Sequence, residues 1–139
     1  MRQKAIHVNG DEKNRLIQHL ASFIEGRSEI VFAYLFGSFI EGLPFHDIDM
    51  GIYLSEIKEE EASLYSIDLA LVLTQALRIP VDVRILNFAP VSFLYHVIRG
   101  KLILERDEEV LSRFVERTIA KYLDLKPLIR RGTKEAFGK

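Results

Sequence analysis

Asp47 and Asp49 stand two residues apart in the run Asp47-Ile48-Asp49-Met50-Gly51-Ile52-Tyr53-Leu54, and Asp82 lies in the later run Val81-Asp82-Val83-Arg84-Ile85-Leu86. Both runs alternate polar with apolar residues, the pattern of a strand with two unlike faces. On a strand the carboxylates of Asp47 and Asp49 emerge on one face, roughly 6–7 Å apart, while Ile48, Met50 and Ile52 point into a core. If the second run is a neighbouring strand, its Val81, Val83 and Ile85 share that core, so Asp82 joins Asp47 and Asp49 on the other side. Three carboxylates gathered without a cation repel one another. A hard divalent cation removes the repulsion, and an oxygen-only donor set favours Mg²⁺, or Mn²⁺, over zinc. Such sites typically hold two ions about 3.5–4 Å apart, which clamp the attacking and leaving oxygens of a phosphoryl transfer. Asp47, Asp49 and Asp82 are therefore the candidate catalytic residues and metal ligands.

The second half of such a site is Phe36-Gly37-Ser38-Phe39. A strand that ends in Gly-Ser and enters a turn or short helix offers backbone N–H groups and a hydroxyl to a phosphate. Alone, Gly37-Ser38 reads as an ordinary turn; followed by Asp-x-Asp on the next strand and a third Asp on another, it reads as a phosphate site. Arg84 is open between an ion-pair partner of Asp82 and a phosphate contact. His46 reads as polar loop surface, and His96 as structural.

The surrounding elements must hold these residues in place. Asp11 to Glu25 carries Leu16, Ile17, Leu20, Phe23 and Ile24 at helical spacing, with Asp11 as N-cap. Glu29 to Phe36 is a buried strand. Lys58 to Leu77 is a helix that opens with Glu59-Glu60-Glu61 and ends before Pro80. A further helix runs from about Pro90 to Arg99, with Gly100 after it, and Lys101 to Glu105 is a short strand. Asp107 caps a last helix to about Leu123, beyond which Lys126, Arg130, Arg131, Lys134 and Lys139 form a modest basic end, frayed after Gly132. The pattern is α+β, a small mixed β-sheet covered by helices.

Composition narrows the class further. The 139 residues are 48% hydrophobic and 28% charged, with 19 Lys+Arg against 20 Asp+Glu. That describes a single domain, residues 1–139, with a catalytic core over about 30–86 and a helical part over about 90–131. The net charge of −1 gives no general attraction to nucleic acid. The chain has no cysteine, which excludes disulfides, thiolate zinc sites and cysteine nucleophiles. His7, His19, His46 and His96 are too scattered for a local zinc motif. No run approaches the about 20 apolar residues of a membrane span, and the first residues lack a signal-peptide core, so a cytoplasmic location is expected.

Leu35-Phe36-Gly37-Ser38, Asp47-Ile48-Asp49 and Val81-Asp82-Val83 together resemble the signature of the minimal nucleotidyltransferases (MNT) of the DNA polymerase β superfamily. Phe39 to His46 gives eight residues between Gly-Ser and Asp-x-Asp, two fewer than the commonest family form, so the loop carrying Gly42 and Pro44 is tighter. The resemblance implies the polymerase β-like fold, with Gly37 and Ser38 binding the β- and γ-phosphates of ATP. It also implies that Asp47 and Asp49 hold Mg²⁺ and that Asp82 completes a metal site beside the acceptor hydroxyl. Stand-alone members of the family are often encoded beside a small helical HEPN ribonuclease toxin and act as its antitoxin, and several are expected to transfer AMP onto a tyrosine of that toxin. The resemblance thus implies an adenylyltransferase with a HEPN toxin as partner. Two alternatives stay open: an antitoxin that acts by occlusion without catalysis, and transfer to RNA or a small molecule.

Overall fold

A computed structural model describes residues 4–136, with side chains described to Leu125. The elements, in chain order, are α1 (Gly10–Glu25), β1 (Ile30–Phe36), α2 (Ser38–Glu41), β2 (Ile48–Leu54), α3 (Glu59–Leu77), β3 (Val81–Ile85), α4 (Val91–Ile98), β4 (Lys101–Glu105) and α5 (Glu108–Ala136). The strands form one mixed sheet in the order β3-β2-β1-β4, with β1 antiparallel to β2 and β4 and β2 parallel to β3. This is the expected α+β architecture.

Helices cover both faces, and the alternation in the strands decides which side chain goes where. Ala33, Leu35, Ile48, Met50, Ile52, Leu54, Val81 and Val83 pack with Leu20 and Ile24 of α1 and Leu69 and Leu73 of α3. On the opposite face Phe32, Tyr34 and Phe36 pack with Leu86, with Val97 of α4 and with Phe114 of α5. Ile30 belongs to the first core and Phe32 to the second, because an irregularity between them breaks the alternation. Gly51 leaves the second face open for α4: a Cβ there would lie 2.9 Å from Leu86 Cδ2 and 3.1 Å from Val97 Cγ1.

The ends of the helices show where local chemistry overrides periodicity. Asn9, not Asp11, caps α1: its Oδ1 accepts from the Glu12 N–H at 2.8 Å, and its own N–H donates to Glu12 Oε1 at 3.1 Å. This reciprocal capping box satisfies two otherwise orphaned donors and places the start two residues earlier than expected. Asp107 caps α5 through Oδ1, which accepts from the N–H groups of Glu109 and Val110, both at 3.1 Å. The α5 backbone does not stop at about Leu123 but stays helical through Pro127 to Ala136. Proline removes the bond to the carbonyl four residues back, and Leu123 is 57% exposed, so water can take that carbonyl. Fraying was expected after Gly132, but the described backbone stays helical to Ala136; the side chains of Lys126, Arg130, Arg131, Lys134 and Lys139 lie outside the described ones.

Two side chains tie distant segments together. Asn87 closes the β2–β3 ladder, accepting from the Leu54 N–H at 3.0 Å and donating to the Leu54 carbonyl at 2.8 Å. Arg106 sits at the C-terminal end of α1, where its guanidinium donates to the carbonyls of Ile24 (3.3 Å), Glu25, Arg27 (3.3 Å) and Ile30 (2.8 Å). A cation at a helix C-terminus is favoured by both the unpaired carbonyls and the helix dipole.

Candidate functional site

Register brings the candidate residues to one end of the sheet. Phe36 pairs with Asp49 across β1 and β2, and Asp49 pairs with Asp82 across β2 and β3. Neighbouring strands lie about 4.8 Å apart, so Phe36, Asp49 and Asp82 stand abreast on three adjacent strands, and Gly37 follows directly after Phe36. Asp47 precedes β2 by one residue, also half-buried.

Gly37 carries a structural demand that follows from this arrangement. Its φ of 81° is in the left-handed region, and a Cβ at this position would collide with Asp49 Oδ2. The turn therefore lies directly against the carboxylate. Ser38 opens the single helical turn α2, whose end is closed by Gly42 at φ 79° and by the Leu43 N–H donating to the Ser38 carbonyl at 3.0 Å. Buried Phe39 and Phe45 anchor the short loop in an edge-to-face pair with centroids 4.9 Å apart. Lys13 of α1 donates to the Ile40 carbonyl at 2.7 Å.

Asp49 is the electrostatic centre. Burial, reinforced by the charges of Asp47 and Asp82, pushes its carboxyl up to about 6; Arg84 and His96 pull in the other direction. All three aspartates thus act on a single point with too little positive charge around it, the condition that a divalent cation relieves. The aspartates do not form a closed cage, however. Asp82 Oδ2 accepts from Arg84 Nε at 3.1 Å, and among the described residues no three acidic or imidazole side chains are grouped tightly enough to hold one ion. Mg²⁺ is commonly held by one or two carboxylates plus substrate phosphates rather than by an all-protein cage. Asp47 and Asp49 fit that requirement, and the donors are all oxygen.

Several neighbours were not legible as site residues. His96 of α4 lies edge-on to Phe36, with ring centroids 5.6 Å apart, and lines with Gly37, Glu41 and Arg99 a cleft of about 170 Å³. Its only signal in the sequence was a histidine on a short apolar helix, which does not reveal that α4 crosses β1 beside Phe36. Arg84, open in the sequence, pairs with Asp82 and also lies over the Phe93 ring at 6.0 Å. His46 is exposed. On the far side of Asp82, a groove of about 550 Å³ opens between α3, β3 and the start of α4, with Ser63, Ser66, Ile67, Arg84 and Phe93 among its walls.

The fold has close counterparts among solved structures. One is a chain of the tri-AMPylated Shewanella oneidensis HEPN toxin in complex with MNT antitoxin, with a TM-score of 0.72 at 19% identity over 90% of this chain and 98% of the other. A chain of the toxin-antitoxin MntA-HepT gives 0.71 at 18% identity, covering 89% and 98%. A chain of the toxin-antitoxin with AMP-PNP gives 0.69 at 20% identity, covering 94% and 99%. No curated protein sequence matches the chain. The family described as Polymerase beta, Nucleotidyltransferase matches residues 18–109, which take in every strand and all the candidate residues. The chain belongs to the polymerase beta nucleotidyltransferase family.

Proposed function

We propose that the chain transfers AMP from ATP to a hydroxyl of a protein acceptor, a HEPN-type toxin encoded beside it, and thereby neutralises that toxin. The observation that carries this reading is the row Phe36, Asp49, Asp82 on three adjacent strands with Gly37-Ser38 directly after Phe36, an order that supports a phosphate turn, a metal carboxylate and a second carboxylate side by side, as a nucleotidyl transfer requires. The structural counterparts, chains from HEPN toxin complexes of which one is tri-AMPylated and another contains AMP-PNP, support the choice of acceptor and nucleotide.

In this reading the Gly37-Ser38 turn receives the β- and γ-phosphates, and Asp47 and Asp49 hold Mg²⁺. Bound metal held by Asp47 and Asp49 would supply positive charge to the phosphate oxygens. Asp82 leaves Arg84 and accepts the proton of the acceptor hydroxyl. The acceptor oxygen bonds to the α-phosphorus, the bond from that phosphorus to the bridging oxygen breaks, and pyrophosphate leaves toward Gly37. Positioning and electrostatics supply most of the rate in such transfers. Asp47, Asp49 and Asp82 are the proposed catalytic residues, within one domain that binds ATP while the partner brings the hydroxyl.

Incubation with Mg²⁺, labelled ATP and the neighbouring gene product is expected to label that protein, and Asp47→Asn with Asp49→Asn to abolish both labelling and neutralisation. A double variant that still neutralises the toxin fully would overturn the catalytic reading in favour of occlusion.

A further inference from the structure

The row of strands that carries the candidate site continues one strand further. β4 begins at Lys101, which pairs with Leu35 of β1, so Gly100 and the end of α4 arrive beside Phe36. The approach is close: a Cβ on Gly100 would collide with the Leu35 carbonyl oxygen and lie 3.1 Å from Phe36 Cβ. The end of α4 is thus pressed against the end of β1 from which the phosphate turn departs. Between them lies the cleft of about 170 Å³, with Gly37 and Glu41 on one side and His96, Arg99 and Gly100 on the other. Whole small-molecule sites occupy about 300–1,000 Å³, so this space suits one part of a ligand rather than all of it.

Charge in this corner is unevenly shared. The segment Gly37-Ser38-Phe39-Ile40-Glu41 offers N–H groups but no cationic side chain, and its one charge, that of exposed Glu41, is negative. The cationic and imidazole donors come instead from the end of α4, His96 in its last turn and Arg99 as its C-cap. Each is steadied by an aromatic neighbour. His96 lies edge-on to Phe36, and the Arg99 guanidinium lies over the Tyr95 ring, 5.7 Å from its centroid. Tyr95 is in turn stacked on Tyr122 of α5, with centroids 3.8 Å apart. Among the described residues neither His96 nor Arg99 is in a salt bridge, with Glu41 or any other acid, so both donors are open to an anion.

The direction of transfer identifies that anion. In-line displacement requires the leaving group opposite the incoming oxygen. With the acceptor beside Asp82 on β3 and the α-phosphorus at Asp49 on β2, the phosphate tail runs over the end of β1 toward β4. We propose that His96 and Arg99 form a receptor for the terminal phosphate of the nucleotide, holding the tail beyond the Gly37-Ser38 turn and selecting a triphosphate over a diphosphate. This rests on the reading that the chain transfers a nucleotide from ATP. The planar fork of Arg99 matches two oxygens of one phosphate, and His96 adds an imidazole N–H. Tyr95 is a positioning residue that supports the guanidinium. Negative charge builds on the tail as its bond to the α-phosphorus breaks, and donors already in place there stabilise it. A diphosphate ends at the turn and leaves both donors unused.

The test measures equilibrium binding to the full chain with Mg²⁺, using α,β-methylene ATP and α,β-methylene ADP, neither of which can transfer AMP. The native chain is expected to bind the triphosphate analogue at least tenfold more tightly than the diphosphate. Arg99→Ala and His96→Ala are each expected to weaken the triphosphate analogue about tenfold, with diphosphate affinity and melting temperature unchanged. Arg99→Lys keeps the charge without the fork and is expected to recover only part of the loss. Tyr95→Leu is expected to give a smaller loss, again confined to the triphosphate. Lys121→Ala removes an exposed cation outside the cleft and is expected to keep the native preference. A native chain that binds both analogues alike, or an unchanged preference in both alanine variants, would overturn the receptor. So would an equal loss for the two analogues, which marks a general structural role. If the native chain labels the HEPN-type acceptor from α-labelled ATP while both alanine variants keep the native KM for ATP, the receptor fails and the transfer reading stands. A native chain that labels no protein at all defeats the transfer reading itself.

Discussion

Gly37 and Asp49 show how closely two single residues are coupled. The positive φ of Gly37, with its ψ of −163°, and the contact that a Cβ would make with Asp49 Oδ2 mean that Gly37→Ala both strains the turn, by about 1–3 kcal/mol, and displaces the carboxylate. Transfer activity in that variant is expected to fall roughly a hundredfold, the scale associated with displacing a reacting group by about 1 Å, as steady-state labelling would measure. Asp49 also carries a stability signature. Its folded-state pKa of about 6 lies above the ordinary value of 3.8, so the folded chain retains a proton that the unfolded chain has lost as pH rises from about 4 to 6. Ionised Asp49 therefore costs stability that is fully lost above about pH 6 and recovered below about pH 4. Melting curves in the presence of a chelator should show Asp49→Asn more stable than the native chain at pH 7.5, with the difference vanishing near pH 4. The carboxylates themselves were legible, because an aspartate on every second position of a strand is a costly pattern. The Arg84–Asp82 pair was legible only as one of two open readings, since two residues on one strand face can pair with each other or with something beyond them.

Among the elements, the strands were legible from alternation and the helices from their apolar spacing. The order β3-β2-β1-β4 was not, because pairing between distant strands leaves no local mark, and neither was the irregularity after Ile30 that sends Phe32 to the opposite core. The capping box of Asn9 and Glu12 was missed in favour of Asp11, although both residue types suit a helix start. Two side chains that join elements lend themselves to measurement. Arg106 holds the end of α1 against β1 through four carbonyls, and Arg106→Ala is expected to lose about 1.5–3 kcal/mol in denaturant unfolding. Arg106→Lys should recover little of it, since an ammonium cannot reproduce the planar fork. Tyr65 of α3 donates to Glu29 Oε2 at 2.6 Å at the start of β1; this bond is the largest cause holding the Glu29 carboxyl below the usual range, and burial with the same bond pushes the Tyr65 hydroxyl up to about 12. Tyr65→Phe is expected to cost about 1 kcal/mol by the same measurement.

At the scale of the molecule, the two faces of the sheet have different tasks. The α1 and α3 face is a closed, mainly aliphatic core, while the α4 and α5 face, richer in aromatic rings, ends at the aspartates, between the His96 cleft and the β3 groove. No described helix is long and apolar enough to cross a membrane. The near-zero net charge offers no field to gather polynucleotide, in keeping with a protein acceptor. The most direct measurement follows the two ends of ATP separately in a reaction with Mg²⁺ and the proposed acceptor, a HEPN-type protein. Label on the α-phosphate is expected to become covalently attached to the acceptor, and label on the γ-phosphate to leave as pyrophosphate, with both events lost in Asp47→Asn with Asp49→Asn. Attachment of the γ-label, or attachment of neither, would contradict adenylyl transfer by this site.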